Sequence, residues 1–160
     1  EGEDEEEAKP KTVIVLAATN MPWDLDEALR RRLEKRIYIP LPQEQGRLDL
    51  FKINMADVDV SEDVDLEHLA GMCAGYSGAD IANVCRDASM MSVRRVMMEA
   101  RKKGLQGAEI QQELQKNKDQ LKTAAVTQDD FLTSLKKVSK SVGEADLQRY
   151  QQWMDEFGSA

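Results

Sequence analysis

Residues 13–20 read Val13-Ile-Val-Leu-Ala-Ala-Thr-Asn20, and this stretch decides the fold. The apolar residues from Val13 to Ala17 do not alternate with polar ones, which is typical of a strand buried on both faces of a parallel sheet. Ligands of such sheets bind at the carboxyl ends of the strands, where we expect Asn20. An amide at that edge can donate to a phosphate oxygen or orient an attacking water. An Asn before Met-Pro also suits a simple chain reversal, so both interpretations stay open.

Three consecutive arginines, Arg30, Arg31 and Arg32, follow at the end of a predicted helix. The acids in residues 24–29 favour the positive end of the helix dipole, and the arginines favour the negative end. A guanidinium is permanently charged and can grip two phosphate oxygens, so it can stabilise the charge that develops on a neighbouring γ-phosphate during its transfer. The alternative interpretation is a solvated basic surface or a nucleic-acid patch.

The chain beyond residue 42 is predicted to be helical. A second short strand, residues 37–39, ends at the stiff connector Pro40-Leu-Pro42, whose prolines cannot donate to a ladder. Hydrophobic spacing and cap residues then predict helices over 46–55 and 66–72, from Ser77 to about Gly104, from Thr127, and after Gly143. The expected core positions are Leu48, Leu50, Phe51, Ile53 and Met55, then Ile81, Val84, Cys85 and Ala88, then Phe131, Leu132, Leu135 and Val138, and finally Leu147, Tyr150, Trp153, Met154 and Phe157.

Composition and charge narrow the possible functions. The chain has 160 residues and a net charge of −8, and a run of acids at residues 3–7 contributes much of it, so global charge gives no case for nucleic-acid binding. No Gly-x-x-x-x-Gly-Lys-Ser/Thr loop occurs, so these residues cannot wrap backbone N–H groups around a β-phosphate. Cys73 and Cys85 lack nearby metal-ligand partners and are predicted to be reduced core residues. No apolar run suffices to span a bilayer and no signal pattern is present, which points to the cytosol.

Three blocks carry a family resemblance: Ala17-Ala-Thr-Asn20, the segment from Asp26 to Pro42, and Gly75-Tyr-Ser-Gly-Ala-Asp-Ile81. They resemble the AAA ATPases of the meiotic clade, and among these the katanin family of microtubule-severing enzymes. The resemblance implies an α/β fragment plus an all-α part. Residues 1–42 would be the C-terminal part of the large nucleotide-binding domain, and residues 43–160 the helical small (lid) domain with a C-terminal helix. In the family, that helix folds back onto the large domain and supports ring assembly.

The resemblance also implies roles for individual residues. Asn20 would be the sensor 1 residue, and Arg31 and Arg32 would be arginine fingers acting on the ATP of a neighbouring subunit. Gly78 and Ala79 would line the nucleotide, with Leu50 and Asn54 where the family packs its adenine ring. The cofactor would be ATP with Mg²⁺, bound mainly by residues outside this sequence, and no metal ligand is expected here. The family's phosphate loop and pore loops would precede Glu1, so the fragment alone should be inactive.

The implied function is ATP-driven severing of microtubules by a hexameric ring that pulls on tubulin tails. The expected partners are further copies of the chain, tubulin and a regulatory katanin subunit, with no nucleic acid and no membrane. The expected location is the cytoplasm, on microtubules at a spindle pole, centrosome or basal body. Alternatives are a spastin-like or ESCRT-disassembling member of the clade, or a non-catalytic helical interaction module. Residues 102–126 lack the strand alternation of the small sheet that ESCRT enzymes insert there, which favours katanin.

Overall fold

The computed structural model describes residues 12–102, 104 and 125–159. A short 3-10 helix spans Pro22–Asp24 and is followed by α1 (Glu27–Arg32). The longer helices are α2 (Glu44–Asn54), α3 (Leu66–Met72), α4 (Gly78–Lys102), α5 (Gln128–Leu135) and α6 (Glu144–Phe157). Among the described residues, no helix has the length and hydrophobicity needed to cross a bilayer. The acidic run at residues 3–7 and the polar stretch 105–122 lie outside the described residues.

The described residues fall into two compact units. One contains the residues up to Ile37 together with those from Tyr150 onward, and we call it the arginine unit because it carries α1. The other is the helical unit, Tyr38–Arg149. The chain therefore passes between the units twice, once before Tyr38 and once within α6.

The two segments that the sequence predicts as strands carry no regular secondary structure in this chain. Val13, Ile14, Val15 and Leu16 are 75–93 % exposed, and Ile37 and Ile39 are about as open. A strand buried on both faces needs neighbouring strands to pair its backbone and helices to cover its side chains. No described strand pairs with these two segments, and their apolar side chains are not covered. The described β pairing consists of one parallel bridge between Val60 and Val126, within the helical unit.

The core of the helical unit is built around α4. The predicted stripe of Ile81, Val84, Cys85 and Ala88 is confirmed, since none of these residues is more than 2 % exposed. Phe51 of α2 and Phe131 of α5 meet edge to face, with ring centroids 6.0 Å apart, and both are fully buried. The prediction was wrong for Ile53, which is 71 % exposed, because two helical positions after Phe51 a side chain points to nearly the opposite face.

Both cysteines are buried, as predicted. Burial raises the pKa of the Cys73 thiol to about 11 and that of Cys85 to about 12, since a thiolate is poorly solvated in an apolar core. At neutral pH both thiols are therefore protonated and act as small apolar side chains.

Side-chain caps begin the helices where the sequence predicted them. Before α4, the backbone N–H of Ser77 donates to the Asp80 carboxylate at 2.9 Å, and the Asp80 N–H donates to the Ser77 hydroxyl at 3.2 Å. Thr127 and Asp130 form the same reciprocal capping box at α5. Asp130 is also buried against the Arg95 guanidinium, so one carboxylate both caps α5 and ties it to α4.

Arg47 is a buried cation without an ion pair among the described residues. Its Nε donates to the Ala70 carbonyl in the last turn of α3 at 2.8 Å, and a terminal nitrogen donates to the Pro42 carbonyl at 3.0 Å. The last carbonyls of a helix lack intrahelical partners and carry partial negative charge, so a buried guanidinium is well placed there. Arg47 thereby joins α2, the end of α3 and the connector at Pro42.

Replacing Arg47 by Met should lower the free energy of unfolding by about 2–4 kcal/mol, because two carbonyls lose a charged donor and are left in an apolar site. Urea unfolding of the purified protein measures the change. Lys52→Met on the exposed part of the same helix is the control and should cost less than about 0.5 kcal/mol. Equal losses for the two variants would contradict the structural role of Arg47.

The carboxyl of Asp80 has a perturbed pKa. Burial works to raise the pKa, but hydrogen bonds from the backbone and hydroxyl groups of Ser77 and Ser141 outweigh it and hold the pKa below its ordinary value. A carboxylate with a lowered folded-state pKa stabilises the fold above its unfolded-state pKa, and this contribution disappears as the pH falls through the folded-state pKa.

Asp80→Asn should therefore destabilise the protein by about 1–2 kcal/mol at pH 7, where the charged hydrogen bonds are intact. The difference from wild type should shrink below about pH 4, because Asp80 of the unfolded wild-type chain then gains its proton, and its charge-dependent part should disappear as the pH falls through the lowered folded-state pKa. Urea unfolding at several pH values tests this, with the exposed Asp57→Asn as the charge-matched control. A difference that stays constant down to about pH 2 would refute the assignment of the stabilisation to the charge of Asp80.

Candidate functional site

The arginines of the arginine unit fall into two groups, those in contact with the rest of the unit and those exposed to solvent. α1 begins with the Asp26 side chain accepting from the Leu29 N–H at 2.9 Å, and it ends with Arg30, Arg31 and Arg32 in its last turn. Because three consecutive helical residues point in directions about 100° apart, they cannot all face one neighbour. The structure shows which of them the unit uses internally.

Arg30 and Arg36 are held by the C-terminal end of the chain. The Arg30 guanidinium lies 4.3 Å from the centre of the Phe157 ring, in a cation–π contact. Arg36 donates from one terminal nitrogen to the Phe157 carbonyl and from the other to the Arg30 carbonyl, each at 2.5 Å. Ser159 adds a bridge, accepting from the Arg36 N–H and donating to the Glu34 carbonyl. Both arginines therefore act as supports within the unit.

Arg31 and Arg32 are exposed. Arg31 pairs with Glu27 one turn earlier on α1, but its side chain is 78 % exposed, and an exposed pair of this kind is worth only about 0.3–0.5 kcal/mol. Arg32 makes no hydrogen bond or ion pair with the described part of the chain. Both guanidinium groups are thus available to a group outside their own unit.

Asn20 lies at the end of the apolar segment, and its backbone is anchored while its side chain is open. The Asn20 carbonyl accepts from the Tyr150 hydroxyl at 2.5 Å, and the Tyr150 ring packs on Trp23 with centroids 5.1 Å apart. The Asn20 side chain makes no hydrogen bond with other described residues. The apolar stripe predicted for the final helix therefore serves, through Tyr150 and Phe157, to hold the residues around Asn20 and Arg30.

All four predicted nucleotide-contact residues lie in the helical unit, and three of them are close neighbours. A Cβ added to Gly78 would lie 3.7 Å from a terminal carbon of Leu50, and the Asn54 side-chain amide donates to the Leu50 carbonyl at 2.7 Å. Ala79 follows Gly78 in the first turn of α4 and is exposed. Asn54 is exposed as well. Two cavities of this unit lie elsewhere, one lined by residues such as Leu48 and Glu67 and the other by residues such as Tyr76 and Leu132.

The start of α4 has partners that sequence reasoning missed. Ser141 donates to the Asp80 carboxylate from its N–H at 3.2 Å and from its hydroxyl at 3.0 Å. It lies 61 positions after Asp80, in an irregular stretch without hydrophobic periodicity, so no local pattern could have indicated the contact.

The arrangement can bind and stabilise charge, but it holds no metal-ligand cluster. No group of three or more His, Cys, Asp or Glu residues in the described ranges could hold a metal ion. The groups that could contact a nucleotide are the exposed guanidinium groups of Arg31 and Arg32 and the exposed Asn20 amide in the arginine unit, and the surface around Gly78 at the start of α4 in the helical unit.

Three family profiles match consecutive parts of the chain. Residues 3–41 match the "ATPase family associated with various cellular activities (AAA)", residues 63–106 match the AAA+ lid domain, and residues 102–158 match the Vps4 C terminal oligomerisation domain.

Curated relatives match nearly the whole chain. The A-like 1 form of the katanin p60 ATPase-containing protein from zebrafish (Danio rerio) is 58 % identical over 158 residues, which is 99 % of this chain and 30 % of the relative. The A1 form from a sea urchin (Strongylocentrotus purpuratus) is 56 % identical over 96 % of this chain and 28 % of its own length. The chain thus spans somewhat less than a third of the curated relatives that it matches.

Solved structures of katanin and of a FIGL-1 AAA domain also match the chain. A structure described as "Structural Basis for Katanin Self-Assembly" superposes with a TM-score of 0.71 at 39 % identity, covering 86 % of this chain and 45 % of the other. The FIGL-1 AAA domain in complex with ADP gives 0.70 at 31 % identity, covering 89 % and 44 %. The predicted fold class, the end of an AAA α/β domain followed by a helical lid, is confirmed by these matches. The chain belongs to the AAA ATPases, in their katanin-like branch.

Proposed function

We propose that this chain is the sensor, arginine-finger and lid part of an ATP-hydrolysing ring of the katanin type. Membership of the AAA family supports ATP as the nucleotide, with Mg²⁺ as its usual companion. The observation that carries the proposal is the division among the arginines: Arg30 and Arg36 are tied to the C-terminal residues, whereas Arg31 and Arg32 are left exposed. That division is what a finger acting on a second subunit requires.

The proposed role of Arg31 and Arg32 follows from electrostatics. Charge builds on the oxygens of a γ-phosphoryl group during transfer, and a guanidinium brought to it stabilises the transition state more than the ground state. Arg31 gives up only a weak exposed pair with Glu27 when it turns toward a phosphate. The proposed role of Asn20 is to orient the attacking water through its open amide, while Tyr150 fixes the backbone that carries it.

The proposed base contact lies in the helical unit. Gly78 leaves room beside Leu50 that a side chain would narrow, so a flat adenine ring could lie against Leu50 there, with Ala79 at its edge and Asn54 one turn beyond Leu50. ATP, when bound, supplies the phosphoryl group whose transfer drives the cycle. The described residues place no carboxylate set for the accompanying Mg²⁺, so we propose that other residues of the intact protein hold the metal.

The proposed biological activity is microtubule severing, with tubulin tails as the substrate of a hexameric ring. The names of the katanin relatives support it, as do the self-assembly structure and the oligomerisation-domain match over residues 102–158. The proposed location is accordingly cytoplasmic, on microtubules, and a regulatory katanin subunit is a proposed partner. Identity of 56–58 % to katanin proteins favours this proposal over a spastin-like or ESCRT-disassembling enzyme.

Replacing both Arg31 and Arg32 by Ala in the intact ATPase should lower kcat by about a thousandfold or more, since an arginine finger is worth that much in rate. The ATPase rate of a mixture with a second variant that is defective only in its phosphate loop distinguishes the direction of action. A finger that acts between subunits predicts partial recovery of turnover in the mixture, because each protein supplies what the other lacks.

Lys35→Ala is the matched control, because it removes an exposed charge three residues after Arg32 and should leave turnover within about twofold of wild type. Equal losses from Lys35→Ala would point to general electrostatics, as in an interaction module with a basic surface. No recovery in any mixing ratio would refute action between subunits.

Gly78→Ala should weaken ADP binding by about fivefold or more without destabilising the protein. The added methyl would make ordinary contacts of 3.7 and 3.9 Å with Leu50, so the fold accommodates it, but it would occupy part of the proposed base site. Titration with a fluorescent ADP analogue and thermal unfolding test the two halves of this prediction. Gly71→Ala in α3, where an added methyl would also have room, is the control and should bind ADP like wild type.

A further inference from the structure

The residues around the start of α4 are fastened to a distant stretch of the same unit, residues 138–141. The Tyr76 hydroxyl donates to the Val138 carbonyl at 2.7 Å. The end of the Lys140 side chain lies over Gly75, where an added Cβ would be 3.0 Å from its Nζ. Ser141 donates twice to the Asp80 carboxylate. We call this set of contacts the clasp.

The clasp accounts for most of the block Gly75-Tyr-Ser-Gly-Ala-Asp-Ile81. Gly75 has a φ of +82°, which a side chain would strain, and Lys140 covers it. Tyr76 donates to the Val138 carbonyl, and Asp80 accepts from Ser141. The Ser77 hydroxyl caps α4 and lies 3.1 Å from the Ser141 hydroxyl. Gly78 and Ala79, the proposed nucleotide contacts, lie between these anchored residues.

We propose that Ser141 is a positioning residue for nucleotide binding, acting through Asp80 on the first turn of α4. This inference rests on the proposed function, since it takes Gly78 and Ala79 as nucleotide contacts. Asp80 is 3 % exposed and one turn or less from both of them, so its carboxylate fixes where their backbone lies. Removing the Ser141 hydroxyl leaves that buried carboxylate one hydrogen bond short, and the first turn can then shift.

The proposed link between the clasp and nucleotide binding must act in both directions. If the clasp favours the conformation that binds nucleotide, then nucleotide must favour the closed clasp by the same factor. The amide of Ser141 reports on this directly, because its N–H is bonded to Asp80 and exchanges with solvent only when that bond opens.

A second serine offers a matched comparison on the same helix. Ser134 of α5 donates to the carboxylate of Asp87 at 2.9 Å, and Asp87 lies two turns further along α4, away from Gly78. Ser134→Ala therefore removes the same kind of bond, from a serine hydroxyl to an α4 carboxylate, without touching the first turn. Ser134 is fully buried, so this change should cost at least as much stability as Ser141→Ala.

The test uses the intact ATPase with Ser141→Ala, Ser141→Thr, Ser134→Ala and Gly78→Ala. Titration with a fluorescent ADP analogue, ATPase kinetics and thermal unfolding are measured for each. Ser141→Ala should weaken ADP binding by about three- to tenfold and raise KM for ATP similarly, with kcat within about twofold of wild type. Ser141→Thr keeps the hydroxyl and should recover affinity to within about twofold of wild type, while Ser134→Ala should lower Tm without changing ADP affinity.

Each other outcome has a defined meaning. Equal loss of ADP affinity in Ser134→Ala and Ser141→Ala would show general destabilisation and overturn the inference. Normal ADP binding by Ser141→Ala, with weakened binding by Gly78→Ala, would overturn the inference and leave the proposed function intact. No ADP binding by the wild type, or unchanged binding by Gly78→Ala, would remove the proposed function itself.

Hydrogen exchange of the wild type keeps the inference testable if Ser141→Ala does not fold. Saturating ADP should slow exchange of the amides at residues 138–141 by about threefold or more, while the amides near Ser134 serve as the internal reference. Unchanged exchange at residues 138–141 with ADP bound would overturn the inference.

Discussion

The carboxylate of Asp80 is the point on which the helical unit depends. It closes the capping box with Ser77, so the longest helix begins at Gly78, and it receives both donors of Ser141. The helix that it begins carries the stripe from Ile81 to Ala88, against which α2 and α5 place Phe51 and Phe131. Hydrogen bonds thus fix where the helix begins, and hydrophobic burial fixes which of its faces is inside.

A second constraint governs the arginine unit. Its apolar stretch from Val13 to Leu16 is exposed, so little of this unit is held by burial of apolar surface. Contacts with aromatic residues of α6 hold this unit together instead. Tyr150 donates to the Asn20 carbonyl, the Phe157 ring packs against the Arg30 guanidinium, and Arg36 donates to the Phe157 carbonyl. The C-terminal residues are therefore part of the structure that presents the arginines, which gives the aromatic side chains at this end of the chain their structural role.

Backbone carbonyls accept from arginines in both units. The buried Arg47 donates to the carbonyls of Ala70 and Pro42, and the partly buried Arg36 donates to those of Phe157 and Arg30, while Arg95 is paired with the cap residue Asp130. A guanidinium taken out of water needs acceptors in fixed positions, and carbonyls at helix ends and connectors are available for this. Arg31 and Arg32 in the last turn of α1 stay exposed, and they are the arginines that the proposed mechanism uses.

Sequence alone determined the features that depend on neighbouring residues. Capping boxes, the boundaries of α3 and α4, the buried stripe of α4 and the family blocks were all predictable, because each depends on side chains within a few positions of one another. It also predicted the strands at Val13 and Ile37, but a strand needs partners as well as its own sequence, and the described residues offer none. Only the tertiary structure decided which groups hold Arg36 and Arg30, and that Ser141 bonds to Asp80. Arg36 and Ser141 reach partners 121 and 61 positions away, and no local spacing encodes which distant group a side chain will meet.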